Sequence, residues 1–177
     1  KVDPKVAKHT GGDASYCGGG DRACPLHNIC YVVEAQMPLA VWRTVADKKP
    51  VEMPASKKPI RLGAYGDPAF LPLDLLEKVT DGRKHTGYTH QWEHVSSDYS
   101  EYLMASVESE EGRQKAKKLG YRTFKVMNDE EKPAADEVMC PYYSKGVQCV
   151  DCGLCAGTRS KAKDIATYKH GFRKGNE

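Results

Sequence analysis

No stretch of this 177-residue sequence approaches the ~18 consecutive apolar residues that a membrane-spanning helix needs, so no membrane span is expected. The first residues, Lys1 to Thr10, are charged and lack the apolar core of a secretory signal; a cytoplasmic protein is the expectation. Internal repeats and low-complexity tracts are also missing, which argues against solenoids and propellers. An excess of one charge sign is nearly absent: 27 Lys and Arg against 24 Asp and Glu leave a net charge of +3. That excess is local. From Ala156 onward six Lys or Arg face only Asp164 and Glu177, giving a basic C-terminal tail that could contact the phosphates of a nucleic acid or simply stay solvated.

What remains is ordinary for a globular chain, with 40% hydrophobic and 29% charged residues. A single domain over 1–177 is expected, in three parts: a Cys-rich N-terminal segment and helix (1–48), an α/β core (60–127), and a C-terminal Cys cluster with the basic tail (128–177). Pro38 suits a first helical position, and Leu39, Trp42 and Ala46 share one face of a short helix ending near Lys48. Lys49 to Pro59, rich in Pro and Lys, reads as a loop.

The core alternates. Ile60 to Tyr65 reads as a strand and Leu71 to Thr80 as a helix, with Leu73, Leu76 and Val79 on one side and Gly82 as its stop. His85 to His90 and Leu103 to Val107 are further strands. Ser109 can cap a helix that starts with Glu110 and Glu111 and ends with Lys117, Lys118 and Gly120. Tyr121 to Met127 is a fourth strand. This order predicts an α/β fold: a partial parallel barrel or an open parallel sheet of about four strands, flanked by Cys-rich metal-binding loops at both ends. Beyond Asn128 the sequence predicts a polar loop, the second cysteine group and a short helix from Lys161 to His170.

Seven cysteines without an export signal point to metal or redox chemistry more than to structural disulfides, because reducing compartments keep thiols free. Cys149, Cys152 and Cys155 stand two residues apart in C-V-D-C-G-L-C, and Cys140 precedes Pro141 upstream. Thiolates so spaced turn inward together and suit a [4Fe–4S] cluster or a tetrahedral zinc ion. Idle thiols or a disulfide are the plainer alternatives. Cys17, Cys24 and Cys30 are looser, with gaps of six and five residues, and His27 could complete a zinc site there. Three thiolates plus four would allow one open and one closed cluster. Equally, one metal could tie the two ends of the chain together.

Ligands of parallel α/β sheets gather at the carboxyl ends of the strands. His90, Glu108 and Asp67 fall there and are the acid–base candidates; Tyr65, Gly66, Trp92 and Lys125 are the cofactor-binding candidates. Asp67 before Pro68 reads equally well as a turn cap, and Ser109 as a helix cap.

The sequence resembles an uncharacterised family of phage and mobile-element proteins with a Cys-rich start ending in C-Y-V, here Cys30-Tyr31-Val32. The likeness continues through Q-M-P-L-A-V-W-R from Gln36, R-L-G-A-Y-G-D-P from Arg61, H-T-G-Y-T-H-Q-W from His85, M-A-S-V-E-S from Met104 and the C-terminal cysteine group. That family is distantly similar to phage radical-SAM-like proteins, which implies an iron–sulfur protein of the radical-SAM-like or redox enzyme kind, acting in the host cytoplasm if phage-encoded. Radical-SAM enzymes space their cysteines C-x-x-x-C-x-x-C, unlike the gaps here, and G-A-Y-G-D-P is too short for a SAM-binding motif, so use of SAM does not follow. The alternative is a zinc-stabilised protein without catalysis, using the basic tail with Trp92 or Tyr88 to bind nucleic acid, or serving in host interaction.

Overall fold

The computed structural model describes residues 37–45, 56–64 and 66–169. The first element is helix α1, Met37–Val45, with Leu39 buried; Ala46, expected on the same face, lies outside the described residues. Five parallel strands then form an open sheet in the order β3-β4-β5-β7-β6: β3 is Tyr88–Thr89, β4 Met104–Val107, β5 Thr123–Met127, β6 Glu137–Met139 and β7 Asp164–Tyr168. A parallel pair, β1 (Ile60–Arg61) and β2 (His85–Thr86), continues it. Only Gly87 separates β2 from β3, so one run of chain, 85–89, joins the pair to the larger sheet. The parallel α/β class is as expected; among the described residues no barrel closes.

Helix α2, Leu73–Thr80, connects β1 to β2, and helix α3, Glu110–Lys118, connects β4 to β5. Ser109 caps α3 as its sequence suggests, its hydroxyl accepting from the Gly112 amide at 3.1 Å. Glutamates in the first turn and lysines in the last favour the helix dipole. Leu76 and Val79 of α2 pack on Leu62, Tyr102 and Leu103. Beside them Trp92, Ala105, Val107, Ala116 and Tyr121 form a second apolar group, and Tyr99 touches both.

Two strands lie where other structure was expected. The segment Lys161 to His170, predicted as a helix, contains β7, which sits between β5 and β6 with Asp164, Ile165, Ala166 and Thr167 buried. Ile and Thr lose rotamer freedom in a helix and pack well on a pleated surface, and here both strand faces are covered. The predicted polar loop after Asn128 contains β6, whose register pairs Val138 with Ile165. The sheet thus advances from β1 to β5, skips a place to β6, and returns to β7. Right-handed crossovers put connections on one face while the strands advance and on the other when they reverse. The return connection, residues 140–163, accordingly covers the face opposite α3, and it carries four cysteines.

Alternation along the strands defines that second face. Met104, Phe124 and Ile165 form its buried core, with Tyr88, Val126, Val138, Cys140, Leu154 and Cys155 packed around them. Among the described residues no helix is long and apolar enough to cross a membrane.

Candidate metal centre

Cys140 directly follows β6 and stands before helix α4, Pro141–Lys145; Pro at the first helical position needs no N–H there. Burial pushes the Cys140 thiol up, with the Tyr142 and Tyr143 backbone opposing, and the Tyr143 amide donates to the Cys140 carbonyl at 2.9 Å. Cys149 and Cys152 open and close the single turn of α5, Cys149–Cys152. Gly153 then adopts φ +66, the left-handed conformation that glycine tolerates without steric cost, and the chain doubles back to Cys155. The Cys155 carbonyl accepts from the Gly87 amide at 2.8 Å, so the last cysteine is fixed to the strand run.

All four of these cysteines are free thiols. Their charges act on one another: burial first, then the neighbouring Cys140, Cys149 and Cys152, push Cys155 up to about 12, with Arg122 opposing. As placed, no group of three or more Cys, His, Asp or Glu among the described residues stands ready to hold an ion. The donor set nevertheless fits one. Four thiols gathered without a cation repel once ionised, and a metal ion reverses that by lowering the pKa of every sulfur it binds. The expected N-terminal set of Cys17, Cys24 and Cys30, with His27, lies outside the described residues.

Arg122 holds the lobe from the sheet side. One guanidinium nitrogen donates to the carbonyls of Leu154 and Gly157 at 2.8 and 2.9 Å, and the other donates to the Lys163 carbonyl. Between lobe and sheet lies a cavity of about 530 Å³ bordered by Cys140, Cys149 and Cys155, by Tyr88 and Phe124 from the sheet, and by Tyr142 and Tyr143 from α4.

The three acid–base candidates come together at the carboxyl ends of the strands. The His90 Nε2 is 3.0 Å from Glu108 Oε1, and the His90 amide donates to Asp67 Oδ2 at 2.9 Å. The other oxygen of Asp67 accepts from the Ala69 amide at 2.9 Å, capping a 3₁₀ turn, Pro68–Phe70. Asp67 therefore positions His90 and caps at once. None of the three borders the cavity.

The cofactor candidates have mixed fates. Tyr65 lies outside the described residues, and Gly66 is half-buried in the turn before Asp67. Trp92 is buried, with its indole N–H donating to the Ser106 carbonyl at 3.0 Å, and this position is out of reach of a nucleic acid. Lys125 is buried between Glu110 and Glu131, at 3.8 and 3.5 Å. The basic tail divides: Arg159 pairs with Glu101 at 3.0 Å and lies over the Tyr102 ring, Lys163 donates to the Ala135 carbonyl, and residues 170–177 lie outside the described part.

Three features had no counterpart in the sequence reading. His85, a buried imidazole whose Nε2–H donates to the Tyr102 carbonyl at 3.1 Å, has its pKa lowered chiefly by burial. Arg122 as a clamp depends on contacts 32 to 41 residues away, whereas the amides after Cys140 are local and only the Cys-Pro pair hints at them.

Fold and thiol group together define an open parallel α/β protein with a four-cysteine lobe on the sheet face opposite α3. Compared with known proteins, the chain matches no family model, no curated protein and no solved structure.

Proposed function

We propose that the chain is a metal-binding protein in which Cys140, Cys149, Cys152 and Cys155 hold an iron–sulfur cluster. The observation that carries this reading is the gathering of four free thiols on one lobe, close enough for their charges to act on one another. Three cysteines two residues apart, with a distant one followed by Pro, are also the elements with which ferredoxin-type sites hold a cubane. Such a cluster, when bound, supplies one-electron transfer. The protein's own residues shape its surroundings. Phe124, Val138 and Leu154 pack around Cys140 and Cys155 on the sheet side of the lobe. Gly153 sets the direction of the chain between the second and last of the three close cysteines.

On the radical-SAM-like reading, Cys17, Cys24 and Cys30 supply a second, three-cysteine site in a Cys-rich loop at the other end of the chain. The His90–Glu108 pair is then the acid–base group at the strand rim.

Purification without oxygen tests the proposal. Brown protein with iron and acid-labile sulfide in equal amounts is the expected result, and conversion of the four C-terminal cysteines to Ser removes the share they hold. Zinc without sulfide would replace the cluster by a structural zinc site. Absence of both metals from protein prepared in their presence would sink the reading altogether.

A further inference from the structure

The cavity between lobe and sheet is graded in chemistry from one end to the other. Lys84 and Arg61 border it at the β1 edge of the sheet, Tyr88 and Phe124 form its floor on β3 and β5, and Cys140 borders it at the β6 edge. The floor is held by paired contacts: Tyr88 and Phe124 stack with centroids 4.7 Å apart and planes within 9°, and the Tyr88 hydroxyl accepts from the Arg61 guanidinium at 2.9 Å. That bond places a cation beside an aromatic surface. From the lobe, Tyr142 and Tyr143 face the same space; Tyr142 is 52% exposed and Tyr143 42%. No carboxylate borders the cavity among the described residues.

Exposed aromatic rings over an aromatic floor suit a planar ring, because π faces stack without demanding a particular sequence of polar atoms. Lys84 and the oriented Arg61 suit an anionic group, Arg in particular binding phosphate or carboxylate through its planar fork. The volume of about 530 Å³ falls in the range of small-molecule sites. The cations and Cys140 lie toward opposite edges of the sheet, so the anion-binding end of the cavity is separate from Cys140.

We infer that this cavity is a binding site for a small planar ring carrying an anionic group, of the mononucleotide class, with the anion on Arg61 and Lys84 and the ring between the sheet floor and Tyr142. The inference deepens the metal-binding reading, which it uses only in requiring the lobe to be in place.

Calorimetric titration of the full chain, purified with its metal, provides the test, with 5′-AMP, adenosine and ribose 5-phosphate as probes and metal content measured on the same samples. 5′-AMP should bind at least roughly tenfold more tightly than either fragment, since both the stacked ring and the anion contribute. The double variant Arg61→Ala/Lys84→Ala should lower 5′-AMP binding to the level of adenosine, with metal content unchanged. Tyr142→Ala, on an exposed helix position, should weaken 5′-AMP and adenosine while leaving ribose 5-phosphate alone. No saturable binding of 5′-AMP, or equal binding of 5′-AMP and ribose 5-phosphate, overturns the cavity proposal even when metal is present. The expected pattern in wild-type protein that holds neither iron nor zinc after preparation in their presence would support the cavity, the missing metal alone overturning the metal-binding reading.

Discussion

The Gly87 amide and the Cys155 carbonyl, 2.8 Å apart, join the sheet to the last cysteine of the lobe, while the Gly87 carbonyl accepts from Met104 at 3.0 Å. One residue thus serves β4 on one side and the cysteine lobe on the other. A Cβ at this position would stand 2.7 Å from Leu103 Cδ2 and 3.0 Å from Leu62 Cβ, both in a packed core. Gly87→Ala is therefore expected to destabilise the protein by about 1–3 kcal/mol in chemical denaturation, as overpacking does. It should also reduce metal bound per chain, because any shift to relieve the clash moves Cys155. Unchanged stability would show that the core around Leu62 and Leu103 yields more readily than its packing implies.

The thiols themselves give the next expectation. Cys152 is half-buried and is the second cysteine on the α5 turn. Replacement by Ser removes one soft ligand and leaves an oxygen that binds iron and zinc less well. Metal content should fall, and the melting temperature with it, since metal binding and folding of such loops are coupled. A variant that keeps both at wild-type values would show Cys152 to be a bystander.

The contrast between what could be read from the sequence and what could not follows from how far apart the deciding partners lie. Ser109 with Glu110 and Glu111, and the lysines before Gly120, are local signals, and α3 runs as they indicate. His90 and Glu108 could be placed at one rim because each follows a strand in the same sheet, although their contact spans 18 residues. β6 and β7 were not legible, since each opens with an acid, Glu137 and Asp164, that is buried beside the distant Arg113 on α3, with the Thr123 amide also donating to Asp164. Nothing near either acid in the sequence announces that partner. Similarly, cysteine spacing marked the metal candidates, whereas the cavity beside them needed residues from β1, β2, β3, β5 and α4 to be assembled first.

That same Arg113 makes acid stability measurable. Its guanidinium, almost wholly buried, meets Glu110 at 2.8 Å and Asp136 at 3.0 Å, and Lys117 also pairs with Asp136. Hydrogen bonds from Arg113 and Gln114 hold Glu110 down at about 2, and those from Lys117 and Arg113 hold Asp136 below the usual carboxylate range. For groups depressed on folding, the stabilisation is complete above their unfolded values and disappears as pH falls through the folded ones. Melting temperature should therefore decline between about pH 4.5 and 2, the interval over which Glu110 takes up its proton. Glu110→Gln should flatten part of that decline while lowering the plateau at neutral pH. Both carboxylates are half exposed, so the change is modest. An identical pH profile in the variant would assign the acid transition to other groups.

Arg122 offers the sharpest separation of lobe from sheet. Its guanidinium donates to three carbonyls, those of Leu154, Gly157 and Lys163, and burial is the main influence lowering its pKa. A planar fork can reach three acceptors at once, which the single ammonium of Lys, with a different geometry, cannot reproduce. Arg122→Met removes the charge and leaves three carbonyls short of a donor, so a loss of about 2–4 kcal/mol is expected from hydrogen bonds of a charged group. Arg122→Lys should recover only part of it. Because the clamped carbonyls flank Cys155, hydrogen exchange should rise first in residues 154–163 and remain slow in β4 and β5, whose amides belong to the sheet ladder. Uniform acceleration across the sheet would mean that Arg122 supports the whole fold, and local acceleration with wild-type metal content would mean that the thiols hold the lobe without it.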